Sequence, residues 1–567
     1  MRGPIDIPFP LSTFPGSTPQ ESAGRLINCH AEPLGPSGPA RAAYHRSPGL
    51  SQHATTAQSG YRGGLIVNNL AYEAWSGNIS TVDVNGVVTS IGSLPGTLKI
   101  SIARNQKASP DVIAVDISNG AFIVTAPGPP ASLTLASGQP APNSICFQDS
   151  FFFFGAANNT VYASGVNSTT INSQTFITLQ AKSDVVGQRV IAFSGLLFGF
   201  TSGHCEVWQD TAQQFPAFPY SRLVVINWGL LQPNAIAGFE TGFDDLLWVA
   251  QDFGVYRLPY GSLSPTKVSP PDLDRLIEAQ NKAGNVLEAS CYAFAGKKFW
   301  ALSSPAWTWE ANLGALGPGS GWNERESLNA ALGLQGRWRA TGGHLAFNKW
   351  LCGDTQSGAL AFIDDAVITE LGAPQLRRIE SSPVTGFPNR QRVARADFSY
   401  SAGAGLAARS LVMTVTGAAA GTGGVVRLAV NSTVTVQTND TVIVANVGGT
   451  IEANGTFLCT VIDATHIELQ GTVFVHAYTS GGTATDVTTP PNVQNPSVAV
   501  SWSDDNGVTW KNPIVRSLGL QGKSLRTRIS VKNTGISGPQ ARRWRLDDTD
   551  CAAPFMSATQ DDDPKEK

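Results

Sequence analysis

The sequence predicts an all-β protein, an irregular β-propeller with additional β-domains and few helices. Three observations lead there. Turn-formers are abundant, with 58 Gly and 35 Pro in 567 residues, while only 14% of residues are charged. Val, Ile, Thr and Phe fill the short runs between them, which is the composition of many short strands. Near the chain end, Ser503-Asp504-Asp505-Asn506-Gly507-Val508-Thr509-Trp510 carries Ser-x-Asp-x-Gly-x-Thr-Trp, the hairpin pattern known as an Asp-box. There Asp505 can accept from turn amides, Gly507 can take positive φ, and Thr509-Trp510 can restart a strand packed on the hairpin.

In chain order, residues 1–60 are rich in Pro and Gly with little periodicity, and they read as an extended N-terminal arm. From 61 to 375 short apolar strands alternate with Gly/Asn/Asp turns. One example is Ile79-Ser80-Thr81-Val82-Asp83-Val84, followed by Asn85-Gly86 and Val87-Val88. Asn-Gly between alternating strands is a strong hairpin signal. Similar groups recur at 112–125, 144–164, 190–208, 245–257, 291–302 and 345–363, which fits about six or seven propeller blades with loop insertions. The one convincing helix spans 272–283. Residues 376–407 and 497–550 read as a β-rich platform holding the Asp-box hairpin. Between them, 408–496 shifts to Thr, Val, Gly and Ala with few charges, as a small inserted β-barrel and its exit linker. Residues 551–567 end in Asp561-Asp562-Asp563-Pro564-Lys565-Glu566-Lys567 and read as a flexible tail.

Bulk properties exclude several roles. A formal net charge of −3 does not suit a nucleic-acid coat. A near-neutral surface does not exclude passing contact with DNA, since a conduit that must not grip its cargo should lack a continuous basic stripe. Seven cysteines, an odd number with no CxxC spacing, read as reduced thiols of a protein folded in a cytoplasm, and ligand spacing for zinc is missing. Prolines interrupt the first ten residues, so no secretory signal is expected there, and no window reads as a membrane span.

Each candidate site has a structural and a chemical reading. An Asp-box invites comparison with sialidase-like glycosidases, which combine several boxes with an arginine cluster. This chain has one clear box. Its carboxylate pairs, Asp244-Asp245 and Asp504-Asp505, are adjacent, so on a strand they point to opposite faces and cannot serve one glycosidic bond. His204, Cys205 and Glu206 read as core and edge positions of a strand. Phe151-Phe152-Phe153-Phe154 reads as a strand buried on both faces within a blade. Trp307, Trp309 and Trp322 flank a Gly-rich loop, 312–321, expected to dock a partner. No nucleophile elbow, phosphate loop or His-Glu-x-x-His is present. Catalytic residues, metal ligands and cofactors are therefore not expected. Two basic clusters remain. The first comprises Arg377, Arg378, Arg390, Arg392 and Arg395, opposed locally by Glu380. The second comprises Lys523, Arg526, Arg528, Lys532, Arg542, Arg543 and Arg545. They read as subunit interface or as a channel-facing collar for DNA phosphates.

An ordered series of motifs resembles one family. Arg25-Leu26-Ile27-Asn28-Cys29-His30-Ala31-Glu32 with Arg46-Ser47-Pro48-Gly49-Leu50 is similar to the N-terminal signature of the packaged-DNA stabilisation proteins of short-tailed phages, also called tail accessory or tail nozzle proteins. Gly195-Leu196-Leu197-Phe198-Gly199-Phe200-Thr201-Ser202 with Glu206-Val207-Trp208-Gln209-Asp210-Thr211 resembles its second signature. Gly254-Val255-Tyr256-Arg257, Gly296-Lys297-Lys298-Phe299-Trp300, Trp322-Asn323-Glu324-Arg325 and Val500-Ser501-Trp502 follow in order. The resemblance covers roughly 20–407 and 497–530. Two departures are the insert at 408–493 and the segment around Lys532-Asn533-Thr534-Gly535 and Arg542-Arg543-Trp544-Arg545. The insert resembles a small barrel module that recurs in phage tail proteins, with Asn454-Gly455-Thr456-Phe457 and Asp463-Ala464-Thr465-His466-Ile467-Glu468-Leu469.

The resemblance implies a virion tail protein without enzymatic activity, made and assembled in the host bacterial cytoplasm. It implies a homo-oligomeric ring, commonly a hexamer, that closes or gates the DNA exit and retains packaged double-stranded DNA. Its implied partners are a portal or adaptor above, spikes, fibres or a needle, and the genome in transit. The alternative is a carbohydrate-binding or glycan-degrading propeller of a phage tail. The inserted barrel would bind host sugars or brace the ring's distal rim.

Overall fold

The computed structural model describes residues 5–36, 38, 40–183, 185–213, 216–317, 320–329, 331–384, 390, 392–401, 411–433, 436–487, 496–519, 528–537 and 541–563. Seven four-stranded antiparallel blades form a propeller. Five are separate sheets, at 61–93, 100–132, 144–178, 187–226 and 236–267. The sixth, 288–329, is part of a ten-stranded sheet. The seventh takes its strands Ala340–Ala346, Lys349–Asp354 and Ala359–Asp364 from the end of the propeller and its fourth, Gly49–Thr55, from near the chain start. Joining the two ends within one sheet closes the ring and leaves no blade half-built. The closing strand docks tightly: a Cβ on Gly49 would lie 2.3 Å from the carbonyl oxygen of Thr369, so glycine is required by proximity there. The first strand of each blade lines the axis.

Blade formation follows from the hairpin chemistry. Asp83 Oδ1 accepts from the amides of Asn85 and Val87, and Gly86 stands at φ 81°, which closes a tight turn between two strands of the first blade. Phe152, Phe153 and Phe154 are fully buried in the second strand of the third blade, where both faces meet neighbouring blades. The helix Pro271–Lys282 begins with Pro at its first turn and buries Leu273 and Ile277 against the propeller core.

The ten-stranded sheet runs on past the sixth blade. Ile27 pairs with Glu324 in parallel, and from there the order is Arg25–Ile27, Arg377–Glu380, Arg543–Asp548, Ser497–Ser503, Ile514–Ser517. A second sheet, Cys29–Pro33, Ala42–Arg46, Phe555–Asp563, Arg392–Tyr400 and Arg528–Lys532, supplies residues to the same core. Leu26, Phe398, Val500, Trp544 and Phe555 meet there, so the two sheets form a sandwich whose one layer is continuous with the propeller.

Two expectations are corrected here. The first sixty residues are not an extended arm, because their five strands are woven into the sandwich and the seventh blade. Cys29–Pro33 and Ala42–Arg46 form a local hairpin, but the other pairing partners of these strands lie hundreds of residues away, where no local periodicity reveals them. The chain end is not a free tail up to Asp563 either: Phe555–Asp563 is an interior strand, and buried Gln560 accepts from Trp544 Nε1 at 3.1 Å. Residues 564–567 lie outside the described residues.

The insert is a closed six-stranded barrel built from Leu411–Ala420, Val426–Val430, His466–Leu469, Gly455–Asp463, Thr441–Ala445 and Thr483–Asp486. Its core, including Met413, Leu428, Val444 and Ile467, is its own.

Candidate functional site

A dense set of hydrogen bonds and ion pairs joins propeller to sandwich. Arg25 grips Glu324 of the sixth blade through two hydrogen bonds, Nε to Oε1 at 3.0 Å and Nη2 to Oε2 at 2.6 Å. Asn28 donates to the carbonyls of Glu326 at 2.9 Å and Leu376 at 2.7 Å, and Lys297 reaches Glu32 at 2.6 Å. Arg325 is fully buried between Glu310 and Glu370, each 3.6 Å away, and stacks 4.1 Å over the Trp338 ring. Beside this seam Asp548 is shared by two arginines from opposite sheets of the sandwich. Arg46 binds its Oδ1, and Arg377 donates from Nε to its Oδ2 at 2.8 Å. Other donors find carbonyls: Arg46 reaches Gln375 at 2.7 Å and Cys551 at 3.0 Å, and Arg377 reaches Ala553 at 2.9 Å, while Arg377 Nη2 is buried without a hydrogen-bond partner among the described residues. Such pairs fix geometry more than they add stability, but removing one member strands a buried charge.

The first basic cluster is thereby redistributed. Arg377 is buried on Asp548, Arg378 is bidentate to Asp547 at 2.8 and 3.0 Å, and Arg395 holds Asp397 at 2.9 Å. Arg390 and Arg392 are exposed. In backbone register, Asp561 lies opposite Arg395 and Asp563 opposite Arg392. A continuous free collar of five arginines is therefore not formed. The carboxylates that pair with Arg377 and Arg378 lie 171 and 169 residues downstream, beyond any local count, whereas Asp397 stands only two residues from Arg395. In the second cluster Arg542 pairs with Asp504 at 2.7 Å, Arg543 is buried near Glu380 at 3.4 Å, and Arg545 covers Trp510 at 4.6 Å. Arg528 and Lys532 are exposed, while Lys523 and Arg526 lie outside the described residues.

The Asp-box closes on itself. Ser503 donates to Asp505 Oδ1 at 2.6 Å and accepts from the Gly507 amide at 2.7 Å. Asp505 also accepts from the amide of Thr509 at 2.8 Å and from its hydroxyl, and Gly507 has φ 95°. Burial would raise the Asp505 carboxyl, yet the bonds from Ser503 and Thr509 outweigh it and hold the group below the ordinary carboxylate range. The strand resumes only at Ile514, past Pro513, so Thr509-Trp510 are part of the turn connection and not of a strand.

The chemically suggestive groups diverge. Asp244 binds Lys298 and Asp245 is bidentate to Arg257 at 2.8 Å, while Asp504 and Asp505 serve a salt bridge and a turn. His204 and Glu206 do share a side, with Nε2 and Oε1 3.3 Å apart, and Thr201 Oγ1 sits 2.8 Å from His204 Nδ1. All three are fully buried, and Cys205 faces the hydrophobic core. All seven cysteines are free. Burial pushes the Cys29 thiol up to about 12 and those of Cys459 and Cys551 to about 11, which keeps them protonated and unreactive. Trp309 and Trp322 are core residues, and the amide of Trp322, at the end of the 312–321 loop, donates to Ser12 Oγ; residues 318 and 319 of that loop lie outside the described residues. Among the described residues no cluster of metal-ligating side chains occurs, and no helix is long and apolar enough to cross a membrane.

Sequence reasoning missed the propeller's axial cavity, about 610 Å³ and lined by Lys99, Arg189, Glu240 and Glu288 among others. These residues sit in four different blades or the connections before them. Only the ring brings them together, and no sequence signal marks them.

Seven blades closed by an early strand and continued into a sandwich define a propeller-built protein with ion pairs at its internal joints. Residues 26–368 match the family model described as Bacteriophage P22 Gp10, beta-propeller, and the chain belongs to that phage stabilisation family. No curated protein matches it. Solved structures similar to it include virginiamycin B lyase from Staphylococcus aureus, with 13% identity over 56% of this chain and 98% of that one and a TM-score of 0.38. The RRP9 WD40 repeats are 10% identical over 56% of this chain and 99% of theirs, with a TM-score of 0.37. The computationally designed Ika8 protein is 12% identical over 63% of this chain and 99% of its own, with a TM-score of 0.33. None of these likenesses carries an activity to this chain.

Proposed function

We propose that this chain is a structural subunit of a phage tail nozzle, part of the virion, and acts without catalysis. Copies would assemble as a ring, a hexamer in our reading, that closes or gates the DNA exit, retains the packaged genome and anchors tail appendages. It would dock on a portal or adaptor above and carry spikes, fibres or a needle. The exposed Arg390 and Arg392 would meet a neighbouring copy or the DNA front.

The observation that carries this reading is the match over more than half of the chain to a family of phage stabilisation proteins. The use of paired charge supports it: Arg25–Glu324 ties sandwich to propeller and Arg46 and Arg377 on Asp548 tie the sandwich's two sheets together, as a load-carrying wall requires. The propeller's own axis, at about 610 Å³, is too small to pass a duplex, so the proposed DNA path is the axis of the ring. The test is a phage lacking this gene, complemented with the full chain or with Arg390→Gln/Arg392→Gln. Without the chain, heads should fill and then lose DNA, and the double variant should assemble less well or leak. Retention of DNA in particles lacking the chain would refute the reading.

A further inference from the structure

The axial cavity carries more cation than its carboxylates neutralise. At one level Lys99 donates to Thr341 Oγ1 at 2.7 Å and to the Tyr61 carbonyl at 3.0 Å, with Glu288 at 3.9 Å. Glu288 is also claimed by Arg337 at 3.4 Å and by Thr341 at 2.9 Å, so two cations share one carboxylate. Elsewhere along the wall stands Arg189. Its Nη1 donates to the Pro233 carbonyl at 3.0 Å and its guanidinium lies 5.2 Å from the Phe239 ring. Its Nε has no partner, and among the described residues no carboxylate comes within salt-bridge distance. The one carboxylate that influences it, Glu240, has its Oε2 occupied by the Gly238 amide at 2.7 Å and the Cys291 thiol at 3.1 Å. Burial raises the Glu240 carboxyl above its ordinary range. Arg104, also lining the cavity, adds a further exposed cation.

A cavity of this volume matches sites that take small organic ligands, and a half-buried guanidinium without a carboxylate in salt-bridge reach favours an oxyanion over any neutral group. We propose that the propeller axis is a binding site for a small oxyanion-bearing molecule, carboxylate or phosphate, held by Arg189 with Lys99 and Arg104 supplying the attracting charge. The site is independent of the proposed DNA path, because it lies on the axis of one subunit.

The test titrates the purified full-length chain with inorganic phosphate and, separately, with succinate, at constant ionic strength, by calorimetry. Saturable binding at about 1 mM or tighter is expected for one of the two, and which one binds assigns phosphate or carboxylate. Arg189→Gln should weaken it by about tenfold or more. Arg189→Lys, which keeps the charge and guards against misfolding, should weaken it measurably while thermal unfolding stays near wild type. Arg104→Gln should weaken it less than either. No saturable binding of either anion, or equal binding by the folded Arg189 variants, would overturn the proposal.

Discussion

The seam and the inserted barrel are both all-β, yet they are held together in opposite ways. At and beside the seam, strands from the first sixty residues, the middle and the last twenty-five residues share two sheets, and ion pairs, the Asp548 ones buried, fix their order. The barrel draws all six strands from residues 411–486, closes on itself and buries its own core. Closure leaves no unpaired edges and no need for a neighbour. The contrast teaches that one region is frame and the other an attachment: damage to the first should spread, and damage to the second should stay local.

The sharpest way to break this contrast is Asp548→Ala. It leaves Arg46 and Arg377 buried without a carboxylate, a loss of about 3–5 kcal/mol. Denaturant unfolding should show the propeller and sandwich losing stability together. Next is Leu50→Ala in the strand that closes the seventh blade, where Leu50 is buried in the main core. A loss of about 2–5 kcal/mol is expected, with faster hydrogen exchange in the paired strand Ala359–Asp364. Asp505→Ala should cost about 1 kcal/mol, confined to the hairpin. Because the folded Asp505 carboxyl is depressed, its contribution is present above its unfolded value near pH 4 and fades as pH falls through the folded value. The pH-dependent part of unfolding should therefore shrink in that variant below pH 4. Smallest of all, replacing 411–486 by a short Gly/Ser linker should shift the main unfolding transition by less than about 0.5 kcal/mol. A large shift would mean the barrel is frame after all.

How much of this was legible follows from sequence distance. Blades are local, so Asn85-Gly86 and the alternation around it reveal their hairpins, and the helix expected over 272–283 stands at Pro271–Lys282. The barrel is also local and stands where its composition shift places it. The sandwich is the reverse. Arg25–Ile27 pairs with Arg377–Glu380, and Phe555–Asp563 lies between Ala42–Arg46 and Arg392–Tyr400. No window holds both partners of such a pair, so residues 1–60 looked like an arm and the chain end like a tail. The basic cluster failed in the same way: Arg377 and Arg378 are neutralised by Asp548 and Asp547 across the sheet. The axial cavity was invisible because it is a property of the closed ring.

The most direct test of the central claim is DNA retention by particles carrying either Asp548→Ala or the 411–486 replacement, measured as genome released from filled heads over time. We predict leakage or failed assembly with Asp548→Ala and wild-type retention with the barrel removed. Wild-type retention with Asp548→Ala, together with leakage when the barrel is absent, would contradict the account.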